Sequence, residues 1–159
     1  MRNLGTIAGT IAGLVTVLLL SGCAPEPAPP QPAQRDETGE PWYSQAVSRL
    51  AAQNGEAKSL LKKGKPDEAA AIVQSGEPIA SRLLSVTRPT LAAMQEASDL
   101  DDLYGGMLLS NRNYGWARLL FQKNQARWKN WMPQTPDTAR RLKEAQSAIA
   151  ECDRRLLEP

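Results

Sequence analysis

Two cysteines, no histidine, and tryptophans crowded among cations are the features of this chain with chemical potential. Without histidine, the commonest transition-metal ligand and the commonest general base at neutral pH are both missing. Asp99, Asp101 and Asp102 form the best carboxylate cluster, a set suited to acid–base work or to calcium. Their setting, Ser98-Asp99-Leu100-Asp101, reads instead as a helix start, with serine as cap and acids at the positive end of the helix dipole. No calcium-loop spacing, Gly-x-Ser-x-Gly elbow, Cys–His pair or phosphate loop occurs. Nothing in the sequence proposes a catalytic residue, a metal or a cofactor, and the chain reads as a non-enzyme.

The second candidate is a basic, aromatic stretch. Between Leu103 and Pro136 there is no acid, but there are Arg112, Arg118, Lys123, Arg127 and Lys129, interleaved with Trp116, Trp128 and Trp131. Indole platforms beside cations suit nucleic acid, glycans or anionic lipid. The plainer reading is a core helix with a solvated basic face, matched by acids on its neighbours. On a helical wheel Trp128 and Trp131 fall in the apolar arc. Trp116 falls outside it, beside Lys123 and Arg127, and is the best surface candidate. Asn124 sits inside the arc, where a buried amide needs partners. It either binds a ligand backbone or ties helices together. Trp116, Lys123, Asn124 and Arg127 are therefore the candidates for a binding surface, with the helix-tying role the preferred reading of Asn124.

The chain opens MRNLGTIAGTIAGLVTVLLLSGC. Arg2 supplies a positive start, and Leu4 to Leu20 carries no charge. Seventeen uncharged residues are borderline for a membrane span, but the ending reads as an export signal. Leu20-Ser21-Gly22-Cys23 matches the lipobox of bacterial lipoproteins, and the resemblance covers these 23 residues. It implies that Cys23 receives diacylglycerol and that the signal, residues 1–22, is cut between Gly22 and Cys23. The new amine is then usually acylated. Several acyl chains anchor far more firmly than one, at about 0.8 kcal/mol per buried methylene. In the sorting pattern of many diderm lipoproteins, Asp after the cysteine retains the protein at the inner membrane. Ala24 therefore favours the periplasmic face of the outer membrane. With Cys23 alkylated, Cys152 has no intramolecular partner, and no disulfide is expected.

Six of the 18 residues from 24 to 41 are proline, and none is a large apolar residue. Such a segment prefers extended polyproline II and, at about 3.1 Å per residue, reaches roughly 50 Å. Residues 23–41 are thus read as a lipidated tether, with a proline-rich docking motif as the alternative. Removing residues 1–22 takes away Arg2 and no acid, leaving 18 basic against 17 acidic residues. That balance, with export, argues against nucleic acid as a partner.

Residues 42–159 carry helical periodicity and no strand signal, which predicts one all-α domain, monomeric in size. The first helix is expected over about 42–63, on Tyr43, Val47, Leu50, Ala57 and Leu61. Gly64 and Pro66 mark a stop and a start. A second helix is expected over about 67–75, broken by Gly76 and Pro78, with a further segment to about 97 that Pro89 should kink or divide. Ser98 then caps a helix of about 100–110. A helix from Tyr114 to Met132 places Tyr114, Ala117, Leu120, Phe121, Trp128, Trp131 and Met132 in one arc. The last helix starts after Thr135 and puts Leu142, Ala145, Ile149, Cys152 and Leu156 on one stripe. Short links make antiparallel hairpins the simplest architecture.

Tyr104-Gly105-x2-Leu108 followed by Ala117-x3-Phe121 resembles a tetratricopeptide hairpin, and Ala57-x2-Leu60 followed by Ala69-x3-Val73 is a fainter copy. The resemblance implies close helix crossings at the small residues and a groove for a protein partner. The copies are offset by 48 residues rather than the family's 34, and both lack its leading Trp and closing Pro. An irregular helical bundle explains the same periodicity.

These readings converge on a lipid-anchored envelope lipoprotein whose helical domain engages an envelope protein. Recognition of peptidoglycan or another envelope glycan is the alternative, and an envelope hydrolase a distant third. A glycan reader predicts exposed Trp rings around a groove. A protein module predicts an apolar or Asn-lined concave face, and a hydrolase a pocket of converging carboxylates.

Overall fold

A computed structural model describes residues 36–158. Gly22, Cys23 and the tether up to residue 35 lie outside the described residues. Within them the fold is all-helical. A 3₁₀ turn at Glu37–Gly39 leads into α1 (Pro41–Lys62), α2 (Pro66–Leu84), α3 (Leu91–Ser110), α4 (Tyr114–Asn130) and α5 (Pro136–Leu157). Consecutive helices pack against each other through short links, and α1 also packs on α3. The result is two antiparallel hairpins, α1–α2 and α3–α4, with α5 laid along α4.

The ends of α1 and α5 follow their local chemistry. Gly64 takes a positive φ of 72°, which closes α1, and Pro66 with Asp67 and Glu68 opens α2. Thr135 caps α5 in a reciprocal box with Thr138: each side chain meets the other's backbone N–H, at 3.2 and 2.8 Å. Tyr43, Leu50, Ala57, Ala69, Val73, Leu83, Ala97 and Leu100 form the main core between the first hairpin and α3. A smaller cluster of Ala117, Phe121 and Cys152 joins α4 to α5.

Three boundaries differ from the sequence expectation. First, α2 runs through Gly76 and Pro78 without a break. Gly76 is buried, and a Cβ there would meet Leu100 Cδ1 at 3.0 Å and Leu50 Cδ1 at 3.2 Å. The glycine is a packing requirement, not a stop. Pro78 frees the carbonyl of Gln74, but both residues are exposed, where water serves the orphan group. Pro89 falls in the α2–α3 link, so it divides the segment, the second of the two outcomes expected of it, and kinks no helix.

Second, Ser98 is not a cap. Helix α3 starts at Leu91, capped by Thr90, whose Oγ1 accepts from Ala93 N at 3.3 Å. Asp99, Asp101 and Asp102 therefore stand in the middle of a helix. Third, α4 ends at Asn130. Trp131 is extended, and Met132, before Pro133, is 75% exposed rather than in the core. A residue preceding proline is disfavoured in the helical region. At the other end of the apolar stripe of α5, Leu156 is also exposed.

Candidate functional site

Helix α4 carries the four expected site residues and gives them three different environments. Trp116 lies on its outer face and is 69% exposed. One turn on, Leu119 is half exposed, and Lys123 continues the same stripe. With Tyr104 and Leu108 of α3 and Leu120 of α4, these side chains line an apolar groove of about 470 Å³. Lys123 also lines a neighbouring groove with Met94, Ala126, Arg127, Asn130 and Trp131. It thus stands between two adjoining depressions on one face.

Asn124 is fully buried, as its helix-tying reading requires, and this takes it out of the candidate binding surface. Its Nδ2 donates to Ser98 O at 2.9 Å and to Asp102 Oδ1 at 2.6 Å, and its Oδ1 accepts from Arg127. The amide thus joins α4 to the middle of α3. Arg127 is mostly buried beside it, 2.8 Å from Asp101 Oδ2 and 3.3 Å from Ser98 Oγ. Asp101 itself is nearly fully buried and also accepts from Lys123 Nζ at 2.8 Å. Lys123, Asn124 and Arg127 therefore come together on the α3 backbone and acids, while Trp116 stands apart from them. Only Trp116 and Lys123 remain presented to solvent.

The three aspartates of α3 each have cationic or amide partners. Asp99 accepts from Lys58 of α1 at 2.7 Å and from Arg141 of α5 at 2.8 Å. Burial opposes its charge, but those two donors outweigh burial and hold its carboxyl below the ordinary range. Asp102 goes the other way. Partial desolvation of its carboxyl, with Asp99 and Asp101 nearby, outweighs the Asn124 hydrogen bond and pushes it up to about 6. Much of the residue is exposed, so the effect belongs to the oxygen pressed against α4. Among the described residues no group of three His, Cys, Asp or Glu side chains is arranged to hold a metal ion.

Tyr104, Leu108, Leu119 and Leu120 were not singled out as site residues in the sequence. A signal was present: Trp116, Leu119 and Lys123 repeat at helical spacing on the face opposite Ala117, Phe121 and Asn124. A stripe with two large apolar residues on an outward face marks a surface left to be covered. The class defined is an all-α, two-hairpin module with an open apolar groove on its second hairpin. No family model, curated protein or solved structure matches the chain.

Proposed function

We propose that this chain is a lipid-anchored envelope lipoprotein whose helical domain is a non-catalytic protein-interaction module, held at the periplasmic face of the outer membrane. The lipobox at residues 20–23 supports the anchor, and Ala24 supports the address. The observation that carries the binding role is the open groove around Trp116 and Leu119. Apolar side chains of a partner would fill it, with Lys123 at the rim to meet an acid. The aspartates of α3, the best candidates for acid–base work, are accounted for as ties between α3 and its neighbours.

The exposed Trp116 ring also favours a second reading, recognition of an envelope glycan. Sugars demand hydrogen-bonding groups around such a platform. Here the lining offers the Tyr104 hydroxyl, the Lys123 amine and the indole N–H of Trp116 itself beside three leucines, and no carboxylate or amide. The lining therefore favours protein.

Metabolic labelling with an alkynyl fatty acid tests the anchor: label is expected on the native chain and lost in Cys23→Ser. Crosslinking in intact envelopes, followed by purification, tests the module. A discrete protein adduct should form, and Trp116→Ala or Leu119→Ser should remove it. Sedimentation with peptidoglycan in place of a protein adduct would favour the glycan reading.

A further inference from the structure

A second surface lies on the first hairpin. Trp42, Gln45, Ala46 and Arg49 of α1 face Pro78, Ile79 and Arg82 of α2 across a cleft of about 390 Å³. The Arg82 guanidinium stacks over the Trp42 ring, 4.1 Å from its centroid. Trp42 is itself held edge-on by Tyr43, with ring centroids 5.4 Å apart. Tyr43 is buried, and its hydroxyl accepts from Thr90 N at 3.0 Å. The indole is therefore fixed by the core.

The cleft holds two guanidinium groups and no carboxylate in its lining. Neither Arg49 nor Arg82 forms an ion pair among the described residues. This differs from Arg118, Arg127, Arg140, Arg141, Arg154 and Arg155, each of which meets an acid. Two unneutralised cations sharing one cleft with an aromatic wall and apolar neighbours are complementary to an anion attached to an apolar body. Guanidinium groups favour phosphate, which they bind through paired N–H donors.

The cleft's position identifies the source of that phosphate. Trp42 is the second residue of α1, so the chain enters the domain at the rim of the cleft. On the lipoprotein reading, on which this inference rests, only residues 24–41 separate the acylated Cys23 from that rim. A short covalent link gives an effective concentration of order mM. Weak contacts of each cation with an anionic surface then suffice.

We propose that the α1–α2 cleft binds the head-group phosphate of an anionic phospholipid in the membrane that holds the anchor. Arg49 and Arg82 take the phosphate oxygens, Trp42 sits at the interface, and Ile79 with Ala46 meets the glycerol and upper acyl region. The groove around Trp116, on the other hairpin, remains for a protein partner.

The test uses the full lipidated chain in phosphatidylcholine vesicles, with and without phosphatidylglycerol brominated on its acyl chains. Brominated phosphatidylglycerol should quench tryptophan emission, and Trp42→Phe should remove most of that quench. The double variant Arg49→Gln, Arg82→Gln should stay on the vesicles through its acyl chains yet lose the quench. Equal quenching by brominated phosphatidylcholine, or a quench untouched by the double variant, would overturn the proposal. If Cys23 carries no acyl mass and the chain leaves neutral vesicles, the lipoprotein reading fails separately. A titration with short-chain phosphatidylglycerol then still decides the cleft: saturable quenching dependent on both arginines supports it, and none overturns it.

Discussion

Gly105 of α3 lies so close to the Phe121 ring of α4 that a Cβ on it would come within 2.7 Å of Cζ. The contact sets how tightly the second hairpin closes. Phe121 is nearly buried and is packed with Ala117 and Cys152, so the ring has little room to retreat. Gly105→Ala should therefore cost about 1–3 kcal/mol, the usual range for overpacking. Gly106, one residue on, has open space where a Cβ would go. Gly106→Ala should be neutral or stabilising by up to about 1 kcal/mol, since alanine is the better helix former. Urea unfolding of the two variants separates packing from propensity; equal effects would mean that the ring contact does not matter.

Asn124 is expected to matter for stability and Trp116 for binding. Asn124→Ala would leave Ser98 O, Asp102 and Arg127 without their shared amide in a buried position. A loss of about 2–3 kcal/mol follows. Trp116→Ala removes an exposed ring and should shift the unfolding midpoint little. A Trp116 variant as unstable as the Asn124 variant would show the indole to be part of the core.

The sequence made the periodic parts of this architecture legible and the exceptions illegible for specific reasons. The Gly64-Lys65-Pro66 junction and the Thr135 cap depend on local backbone chemistry, and they stand where the sequence places them. Gly76 and Ser98 depend on what lies across the helix. Gly76 resembles a breaker until Leu50 and Leu100 are seen against it. Ser98-Asp99 resembles a cap until Lys58, Arg127 and Arg141 arrive from three other helices. The same holds for the site. Trp116 is legible as a surface residue because the wheel sets it off the apolar arc. The groove beside it is not, because Tyr104 and Leu108 come from a different helix.

Cys152 is fully buried against Ala117 and Phe121, as the stripe through Ala145 and Ile149 predicts. Burial raises its thiol above the ordinary range, with Asp153 and Glu151 adding to the effect. A protonated, enclosed thiol is a poor nucleophile. In a Cys23→Ser background, a maleimide should label the native chain slowly and the denatured chain fast. Cys152→Ala should cost about 1–2 kcal/mol, whereas Cys152→Asp should prevent stable folding. Rapid labelling of the native chain would refute the placement of this face of α5.

Asp102 should make the domain less stable as pH rises from acid toward neutral, in opposition to the paired carboxylates. Its folded carboxyl titrates at about 6, against an ordinary 3.8. Below 3.8 both folded and unfolded chains carry the proton, and the group contributes nothing. Between 3.8 and about 6 the unfolded chain ionises first, so stability falls with rising pH; above about 6 the whole penalty is present. Asp99 has the reverse sign: its depressed carboxyl stabilises above the ordinary range and loses that contribution as pH falls. A raw pH profile mixes the two, so the difference between variant and native chain is the proper observable. Asn at position 102 keeps an oxygen to accept from Asn124 and cannot ionise. Asp102→Asn should match the native chain near pH 3.5, gain on it from about pH 4 to 6, and stay more stable above that. Urea midpoints across that range read the difference directly. A constant offset, or a variant less stable at neutral pH, would show that the carboxylate of Asp102 is favoured by its neighbours rather than opposed by them.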